Sequence, residues 1–203
     1  MQKRLGGPRR RGVGRQQRKK IVTLDQVAEE VSRCKRCGLH KYRQKAVPGE
    51  GPSDATVMLI GEAPGREEDF QGRPFVGRSG KILDEILRQA GLPRDILFIT
   101  SVVKCRPPDN RTPKRSEQET CFRAHGQRQI QIIQPKIICL LGGVAAKALL
   151  GIERVSEKRG RISEKGGYWF FPTYHPAAAG RSRTWHQALS RDMRRLRELL
   201  ESL

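Results

Sequence analysis

The sequence predicts an α/β fold, a three-layer α/β/α sandwich in which helices cover both faces of a central, mostly parallel sheet. Three apolar runs, at residues 57–60, 96–103 and 137–141, are typical of buried strands. Segments with apolar residues at helical spacing separate these runs, and such alternation is typical of parallel sheets. The 203 residues are enough for one domain with a substantial core.

The other elements follow from local signals along the chain. Thr23 is the predicted N-cap of a first helix, whose apolar stripe includes Val27 and Val31. Residues 38–55 are polar, contain Gly and Pro, and indicate a loop. Later segments are predicted as a helix at 80–90, a helix at 116–133 opened by Ser116, an Ala-rich helix from Gly142-Gly143 to Gly151, a hairpin or short strands at 155–172, a strand end at Tyr174-His175-Pro176, and a helix at 184–201.

The charge of the chain indicates a polyanionic partner. Lys and Arg number 41 against 21 Asp and Glu, which gives a net charge of +20. Nucleic acid is the simplest partner for such a chain, although ribosomal proteins share this composition. Residues 1–20 hold nine Lys or Arg and no acid, and we predict a disordered basic tail that either attracts phosphates or only aids solubility. Residues 21–203 form the predicted folded domain.

The compartment is predicted from what the sequence lacks. No apolar run approaches the length of a membrane span, and the N-terminus has no apolar segment of the signal-peptide kind. We therefore expect a cytoplasmic protein that does not bind membranes. Its five cysteines are then expected to be reduced thiols or metal ligands rather than disulfides.

The loop from Gly61 to Gly80 is the predicted functional centre. It connects a buried strand to a helix, which is the position where α/β sheets place their ligands. Its glycines allow the backbone to approach a ligand closely, and it carries the acidic run Glu67-Glu68-Asp69 within a very basic chain. Glu62 follows the strand directly, at the carboxyl end where catalytic carboxylates are often found.

Four of the five cysteines lie outside the apolar runs and are candidates for one metal site. Cys34 and Cys37 form a C-x2-C pair at the end of the first helix, and Cys105 and Cys121 are separated by fifteen residues. Four thiolates fit a zinc ion or an iron–sulfur cluster, and the spacing does not choose between them. Four unrelated free thiols are the alternative. Cys139 lies within the third apolar run and is predicted to be a small buried hydrophobe.

Several ordered blocks of the sequence resemble the family 4 uracil-DNA glycosylases. The blocks are GEAPGREEDFQGRPFVGRSGKIL from residue 61, ITSVVKCRPPDNRTP from residue 99, the cysteine pattern, and Tyr174-His175-Pro176-Ala177. The resemblance covers roughly residues 24–200. It implies an α/β/α sandwich, hydrolysis of the N-glycosidic bond of uracil in single- or double-stranded DNA, and a [4Fe–4S] cluster. It also implies that the cluster ligands are Cys34, Cys37, Cys105 and Cys121.

The resemblance assigns the chemistry to two residues. Cleavage of the bond places positive charge on the sugar and negative charge on the uracil, so the site needs an anion, a positioned water and a hydrogen-bond donor. Glu62 would position the water and stabilise the sugar cation, and His175 would donate a hydrogen bond to the uracil O2. A structural cap before Pro176 is the alternative role for His175. We expect a DNA-repair enzyme that acts as a monomer and associates with the nucleoid through DNA.

The same resemblance names the residues that bind the base. Phe75 would be the stacking platform for the extruded uracil, with a plain core residue as the alternative. Glu68 would lie beside the uracil C5 and exclude the methyl group of thymine, or would only be a solvated acid that balances Arg66 and Arg73. The remaining members of the predicted substrate-binding set are Ala63, Gly65, Ser101 and Arg181.

The sequence departs from the family pattern at two places. Ser101 stands where the family usually has Asn, whose amide can pair with both the O4 and N3 positions of uracil. This leaves open a glycosylase that prefers hypoxanthine or xanthine. Residues 177–181 read Ala-Ala-Ala-Gly-Arg where the family tends to carry a bulky apolar wedge, and Arg181 is the predicted replacement.

Two further hypotheses concern the kind of reaction. A covalent-trapping relative of the family carries an inserted basic loop with a histidine after the second strand. The chain has no histidine between Ser101 and His125, so we expect no covalent capture of DNA. A non-catalytic nucleic-acid-binding protein with an iron–sulfur cluster or zinc is the alternative from another functional class.

Overall fold

The structure, a computed structural model, describes residues 22–202. The predicted basic tail, residues 1–20, lies outside the described residues. The strands are β1 (Val57–Gly61), β2 (Leu97–Ser101), β3 (Ile137–Leu141), β4 (Ser163–Lys165) and β5 (Tyr168–Thr173). The helices are α1 (Leu24–Arg33), α2 (Arg66–Gln71), α3 (Arg78–Gln89), α4 (Arg115–Cys121), α5 (Gln127–Ile133), α6 (Gly143–Leu150), α7 (Val155–Lys158), α8 (Pro176–Ala179) and α9 (Arg183–Ser202).

The sheet has the strand order β2-β1-β3-β5-β4. The pairs β1–β2, β1–β3 and β3–β5 are parallel, and only the short β4 runs antiparallel to its neighbour. Gly61 pairs with Ser101 and Leu141 pairs with Thr173, so the carboxyl ends of four parallel strands meet at one edge. This topology confirms the predicted α/β fold with a mostly parallel sheet.

The two faces of the sheet support separate apolar clusters. Alternate side chains of β1 point to opposite faces, as the two-residue period of a strand requires. Val57 and Leu59 join the cluster that includes residues of α3 and α9, while Met58 and Ile60 join the cluster that includes residues of α5 and α6. Every residue of β1, β2 and β3 is buried, which explains why the sequence shows unbroken apolar runs there.

The first helix matches the sequence prediction, and the hairpin matches it in part. Thr23 caps α1 through a capping box, in which its side chain and that of Gln26 each accept a backbone N–H of the other. Gly166 and Gly167 both have positive φ, 61° and 81°, as a tight two-residue hairpin turn between β4 and β5 requires. The hairpin predicted within residues 155–172 is therefore formed by β4 and β5, but the start of that range was wrong, because Val155–Lys158 form the short helix α7.

The helix predicted at residues 116–133 differs from the prediction in two respects. It begins at Arg115, and the Glu117 carboxylate accepts the N–H of Lys114 at 2.7 Å, so the role given to Ser116 was wrong. Arg111 holds that carboxylate with two hydrogen bonds of 2.8 and 2.9 Å. Between α4 and α5 the chain makes a π turn over Phe122–Gly126.

The second strand is shorter than the predicted run at 96–103, because the chain leaves the sheet after Ser101. The N–H groups of Val102 and Val103 still donate to the carbonyls of Gly61 and Glu62, at 2.9 and 3.2 Å. Within residues 22–202, no helix has both the length and the apolar character needed to cross a bilayer.

Candidate active site and metal centre

The carboxyl edge of the sheet brings the predicted site residues together. A Cβ atom added to Gly61 would lie 2.5 Å from the Phe75 ring and 3.6 Å from Ser101 Oγ. The rings of Phe75 and His175 have centroids 5.7 Å apart and planes inclined at 33°. The Phe75 ring therefore lies between Gly61 and His175. Glu62 directly follows the last residue of β1, Gly61, which belongs to this group.

Phe75 adopts a backbone conformation that side chains other than glycine seldom occupy, with φ at 51°. Arg94 Nη1 donates to the Phe75 carbonyl at 3.1 Å, and Arg94 also donates to the carbonyl of Pro74. A Cβ at Gly80 would lie 1.8 Å from the Phe75 carbonyl oxygen, so only glycine fits there. Arg94 is itself held by Glu50 at 2.8 Å. Phe75 is 7% exposed and belongs to the first apolar cluster. It is therefore both a core residue and a residue at the carboxyl edge of the sheet.

Glu68, in α2, holds the backbone on the carboxyl-terminal side of Phe75 through hydrogen bonds. Its carboxylate accepts backbone N–H groups from Gly65 at 3.1 Å, Val76 at 2.9 Å and Gly77 at 2.8 Å. Arg73 pairs with Glu50 at 2.8 Å, so the geometry does not favour a solvated acid that balances Arg73. The role of Glu68 beside the uracil C5 stays a prediction.

Glu62 is a half-buried carboxyl group at the end of β1. Burial raises its pKa, and a hydrogen bond from Thr112 acts in the opposite direction. Thr112 lies in the loop between β2 and α4, which the sequence analysis did not connect with the site. A carboxyl group with a raised pKa and one hydroxyl partner is suited to accept a proton from a water molecule.

His175 is a neutral hydrogen-bond donor by its local geometry. Its Nδ1 accepts the N–H of Ala177 at 3.1 Å and caps α8, so the proton of the neutral ring is on Nε2. Burial lowers the pKa of His175 to about 4, with the charge of Glu68 acting in the opposite direction. The cap that the sequence offered as an alternative role thus fixes the tautomer that the predicted donor role needs.

Ser101 is held by a buried ammonium group that the sequence analysis missed, that of Lys104. Lys104 is 1% exposed, and its Nζ donates to the Ser101 carbonyl at 2.8 Å, to Gln129 Oε1 at 2.8 Å and to the Thr100 hydroxyl. Burial lowers the pKa of Lys104 to about 8, and the neighbouring Cys121 acts in the opposite direction. In the sequence Lys104 differs from other cations only because it follows an apolar run directly.

The end of β5 is fixed by an ion pair that the sequence analysis also missed. Asp192, 4% exposed on α9, accepts a hydrogen bond from the Thr173 hydroxyl at 2.5 Å. Arg159 Nη2 pairs with Asp192 Oδ1 at 2.6 Å. Of the other predicted residues, Ala63 is half-buried against the second apolar cluster, and Arg181 is exposed after α8.

The four predicted cysteine ligands line one cavity, together with His40, Lys104 and His125. Arg43 Nη1 donates to Cys105 Sγ at 3.1 Å, and the Lys104 N–H donates to Cys121 Sγ at 3.3 Å. Over residues 22–202, no three His, Cys, Asp or Glu side chains are grouped so that they could hold a single metal ion, so the question for the four thiols is whether they suit a larger group. Four thiols that share a cavity, two of them with N–H donors, are a donor set that fits the ligation of a cluster by four thiolates.

Cys139 stands apart from this cavity. It is fully buried in the apolar cluster on the α3 and α9 face, and burial raises the pKa of its thiol. This confirms the prediction of a small buried hydrophobe.

Comparison with known proteins agrees with the fold and the site. The uracil DNA glycosylase superfamily matches residues 48–201. The type-4 uracil-DNA glycosylase of Saccharolobus solfataricus is 43% identical over 189 residues, which are 88% of this chain and 87% of the relative. That of Pyrobaculum aerophilum is 44% identical over 181 residues, 85% of this chain and 92% of the relative. The fold and site thus define a member of the superfamily, and within it the chain belongs to the type-4 uracil-DNA glycosylases.

The contact between Gly61 and Phe75 can be measured through stability. We expect Gly61→Ala to lower the free energy of unfolding by about 1–3 kcal/mol, because the added methyl group overlaps the ring. In Gly143→Ala the methyl group meets nothing within 4 Å, and this control is expected to be as stable as the wild type or more stable. Urea unfolding gives both values. The combined change Gly61→Ala with Phe75→Leu should cost less than the sum of the single changes, and strict additivity would contradict the contact.

Proposed function

We propose that the chain is a DNA-repair glycosylase that hydrolyses the N-glycosidic bond of uracil in DNA and leaves an abasic site. The observation that carries the proposal is the grouping of Phe75, Ser101 and His175 around Gly61, beside Glu62, in a member of the type-4 family. The net charge of +20 suits a polyanionic substrate. Nothing in the described residues favours deaminated purines or a non-catalytic role.

The reaction breaks the bond between C1′ of the sugar and N1 of uracil. The bonding electrons leave with the uracil, so the sugar becomes cationic and the base anionic in the transition state. The Glu62 carboxylate stabilises the cation and orients a water molecule, whose oxygen bonds to C1′ while its proton passes to Glu62. Burial, which raises the pKa of Glu62, makes this carboxylate a better base than an exposed one.

The departing uracil anion is stabilised from the other side. The N–H at Nε2 of His175 donates to the uracil O2, where negative charge develops. A neutral imidazole suffices for this role, in line with the lowered pKa of His175. Phe75 offers a ring face to the extruded base, and the Ser101 hydroxyl lies at the adjoining edge.

We also propose that Cys34, Cys37, Cys105 and Cys121 hold a [4Fe–4S] cluster. Uracil excision needs no redox step, so when bound the cluster supplies cross-links rather than electrons. The cysteines themselves join the end of α1, the loop after β2 and the end of α4, three segments that are distant in sequence. Their thiols must lose their protons on binding, against the burial that raises the pKa of Cys121 to about 12.

The pH dependence of excision is a test of Glu62. The carboxylate is the working form, so single-turnover excision should fall as the pH is lowered through the pKa of Glu62, which lies above the ordinary value of 4.5. Glu62→Gln should lower the rate by about 10²-fold or more and abolish this acid limb. A wild-type rate, or an unchanged acid limb, in the Gln variant would remove Glu62 from the mechanism.

His175→Ala should lower the single-turnover rate by about 10²-fold, because its hydrogen bond strengthens only in the transition state. DNA affinity, measured by fluorescence anisotropy, should change little. His186→Ala, a matched change on α9, should leave both quantities unaltered. Equal rates for the two variants would contradict the donor role.

Ser101 tests the choice of base. If its hydroxyl contacts the base edge, Ser101→Asn should raise excision of uracil over that of hypoxanthine, because an amide offers both a donor and an acceptor. The measurement is cleavage by alkali of oligonucleotides that contain uracil, hypoxanthine or xanthine. Preferred release of a purine by the wild-type enzyme would overturn the uracil proposal.

The cluster proposal predicts the metal content. Protein purified without oxygen should be brown, with about four irons, the number in a [4Fe–4S] cluster. Cys34→Ala should lose iron and solubility, while Cys139→Ala, at a cysteine outside the cavity, should keep the iron content. Stoichiometric zinc without visible absorption would refute the cluster.

A further inference from the structure

An exposed aromatic stack lies beside the candidate active site. Trp185, in the first turn of α9, is 42% exposed, which is unusual for so large an apolar side chain. Its ring lies against Tyr174, with centroids 6.0 Å apart and planes inclined at 38°. On Tyr174 the guanidinium of Arg159 lies 5.2 Å from the ring centroid. We call Arg159, Tyr174 and Trp185 the aromatic stack.

The stack is fixed relative to the catalytic histidine. Tyr174 directly precedes His175 in the chain. Arg159 is anchored by Asp192 at 2.6 Å and by the Ala188 carbonyl at 2.8 Å. The inner end of the stack is therefore tied to α9, and Trp185 is its most exposed member, since Arg159 and Tyr174 are half-buried. Such a fixed and partly exposed ring is suited to receive another flat ring at little cost in entropy.

The surroundings of Trp185 indicate what would stack on it. Arg181 and Arg183 are both exposed and lie four and two residues before it in the chain, so the segment that carries the exposed ring is cationic. Aromatic rings among cations are the usual pattern of surfaces that bind single-stranded or opened nucleic acid. Residues 177–180, where the sequence analysis expects a bulky wedge, are Ala-Ala-Ala-Gly, so the segment formed by α8 and Gly180 has no large apolar side chain at this place.

We propose that Trp185 stacks on a nucleobase that neighbours the extruded uracil, while Arg181 and Arg183 contact the flanking phosphates. The proposal rests on the proposed function, since it takes DNA as the substrate. Trp185 then supplies, from α9, the apolar surface that the loop after His175 lacks. The base it covers loses one stacking partner when the uracil leaves the helix, and the indole replaces that partner.

The second tryptophan of the chain is a matched control. Trp169 is 38% exposed, close to the 42% of Trp185, but pairs with Ile137 at the start of β3, at the opposite edge of the sheet. We expect Trp185→Ala to weaken binding of DNA with an abasic-site analogue by about tenfold, within the range measured for base–aromatic stacking. Trp169→Ala should leave the Kd unchanged, and Trp185→Phe should retain most of the affinity.

Fluorescence tests the stacking directly. In the Trp169→Phe variant Trp185 is the only tryptophan, and its emission should be quenched when DNA binds. An unquenched Trp185, or equal Kd values for the two alanine variants, would overturn the proposal. Uracil excision by the wild-type enzyme at saturating DNA is measured separately. If the enzyme excises no uracil but Trp185 is still quenched, the proposed glycosylase function is wrong and the proposed stacking site is supported.

A second, independent observation concerns His125. It is 1% exposed, and neither ring nitrogen has a hydrogen-bond partner among residues 22–202. It lies in the π turn Phe122–Gly126 and lines the cavity of the four cysteines. A buried imidazole without a partner costs free energy, so such a group in a folded protein indicates an absent acceptor or donor. π turns in helices are frequent at functional sites.

We infer that His125 donates a ring N–H to a sulfur atom of the iron–sulfur group that the cysteines would hold. Arg43 and the Lys104 backbone already donate to Cys105 Sγ and Cys121 Sγ, so His125 would be a third donor on the same group. Hydrogen bonds to the sulfurs are among the factors that set the reduction potential of such a cluster. His125 is a positioning and tuning residue in this reading, not a catalytic one.

The test uses spectroscopy rather than activity. In reduced wild-type protein labelled with ¹⁵N-histidine, hyperfine coupling of a ring nitrogen to the cluster is expected, and it should persist in His40→Leu. His125→Leu should lose the coupling and shift the midpoint potential to a more negative value, while His186→Leu leaves both unchanged. An uncoupled histidine in the wild type, or protein without a cluster, would overturn the inference. If the protein holds no cluster, the proposed glycosylase function is still tested separately by the measurement of uracil excision.

Discussion

The contact between the Phe75 ring and Gly61 is the constraint on which the geometry of the site depends. The ring reaches this position only with Phe75 in a left-handed conformation, which costs about 1–3 kcal/mol. Arg94 and Glu68 hold the backbone on either side of it, and Gly80 leaves room for its carbonyl. The strain is thus localised in the backbone of the one residue whose ring lies against both the core and His175, and the ring is held firmly in this position.

Burial shifts the pKa values of both titratable groups that are proposed to act at this edge. Burial raises the pKa of Glu62 and lowers that of His175, and in each case it disfavours the charged form. For His175 this favours the neutral imidazole that the proposed reaction needs. For Glu62 it opposes the carboxylate form, and the hydrogen bond from Thr112 favours that form.

The sequence predicts the features that are encoded locally. The strands were predictable because β1, β2 and β3 are buried on both faces and appear as unbroken apolar runs. The residues at the edge were predictable from motifs that follow those strands. The ion pairs that hold these residues in place were not predictable, because their partners are distant in sequence. Arg94 lies 44 residues from Glu50, and Asp192 lies 33 residues from Arg159. Lys104 appears in the sequence as one more cation among 41, and only tertiary contacts show that it is buried.

The segment from Ser101 to Cys105 connects the two candidate sites, and it would give the proposed cluster a structural role in a reaction without electron transfer. Ser101 ends β2 at the carboxyl edge of the sheet, the Lys104 ammonium donates to its carbonyl, and the Lys104 N–H donates to Cys121 Sγ. Cys105, the next residue, is a proposed ligand. A group that fixes Cys105 and Cys121 therefore fixes the exit from β2, and with it the position of Ser101. Loss of the proposed cluster would then release this segment before it disturbed β1, which is a buried interior strand of the sheet.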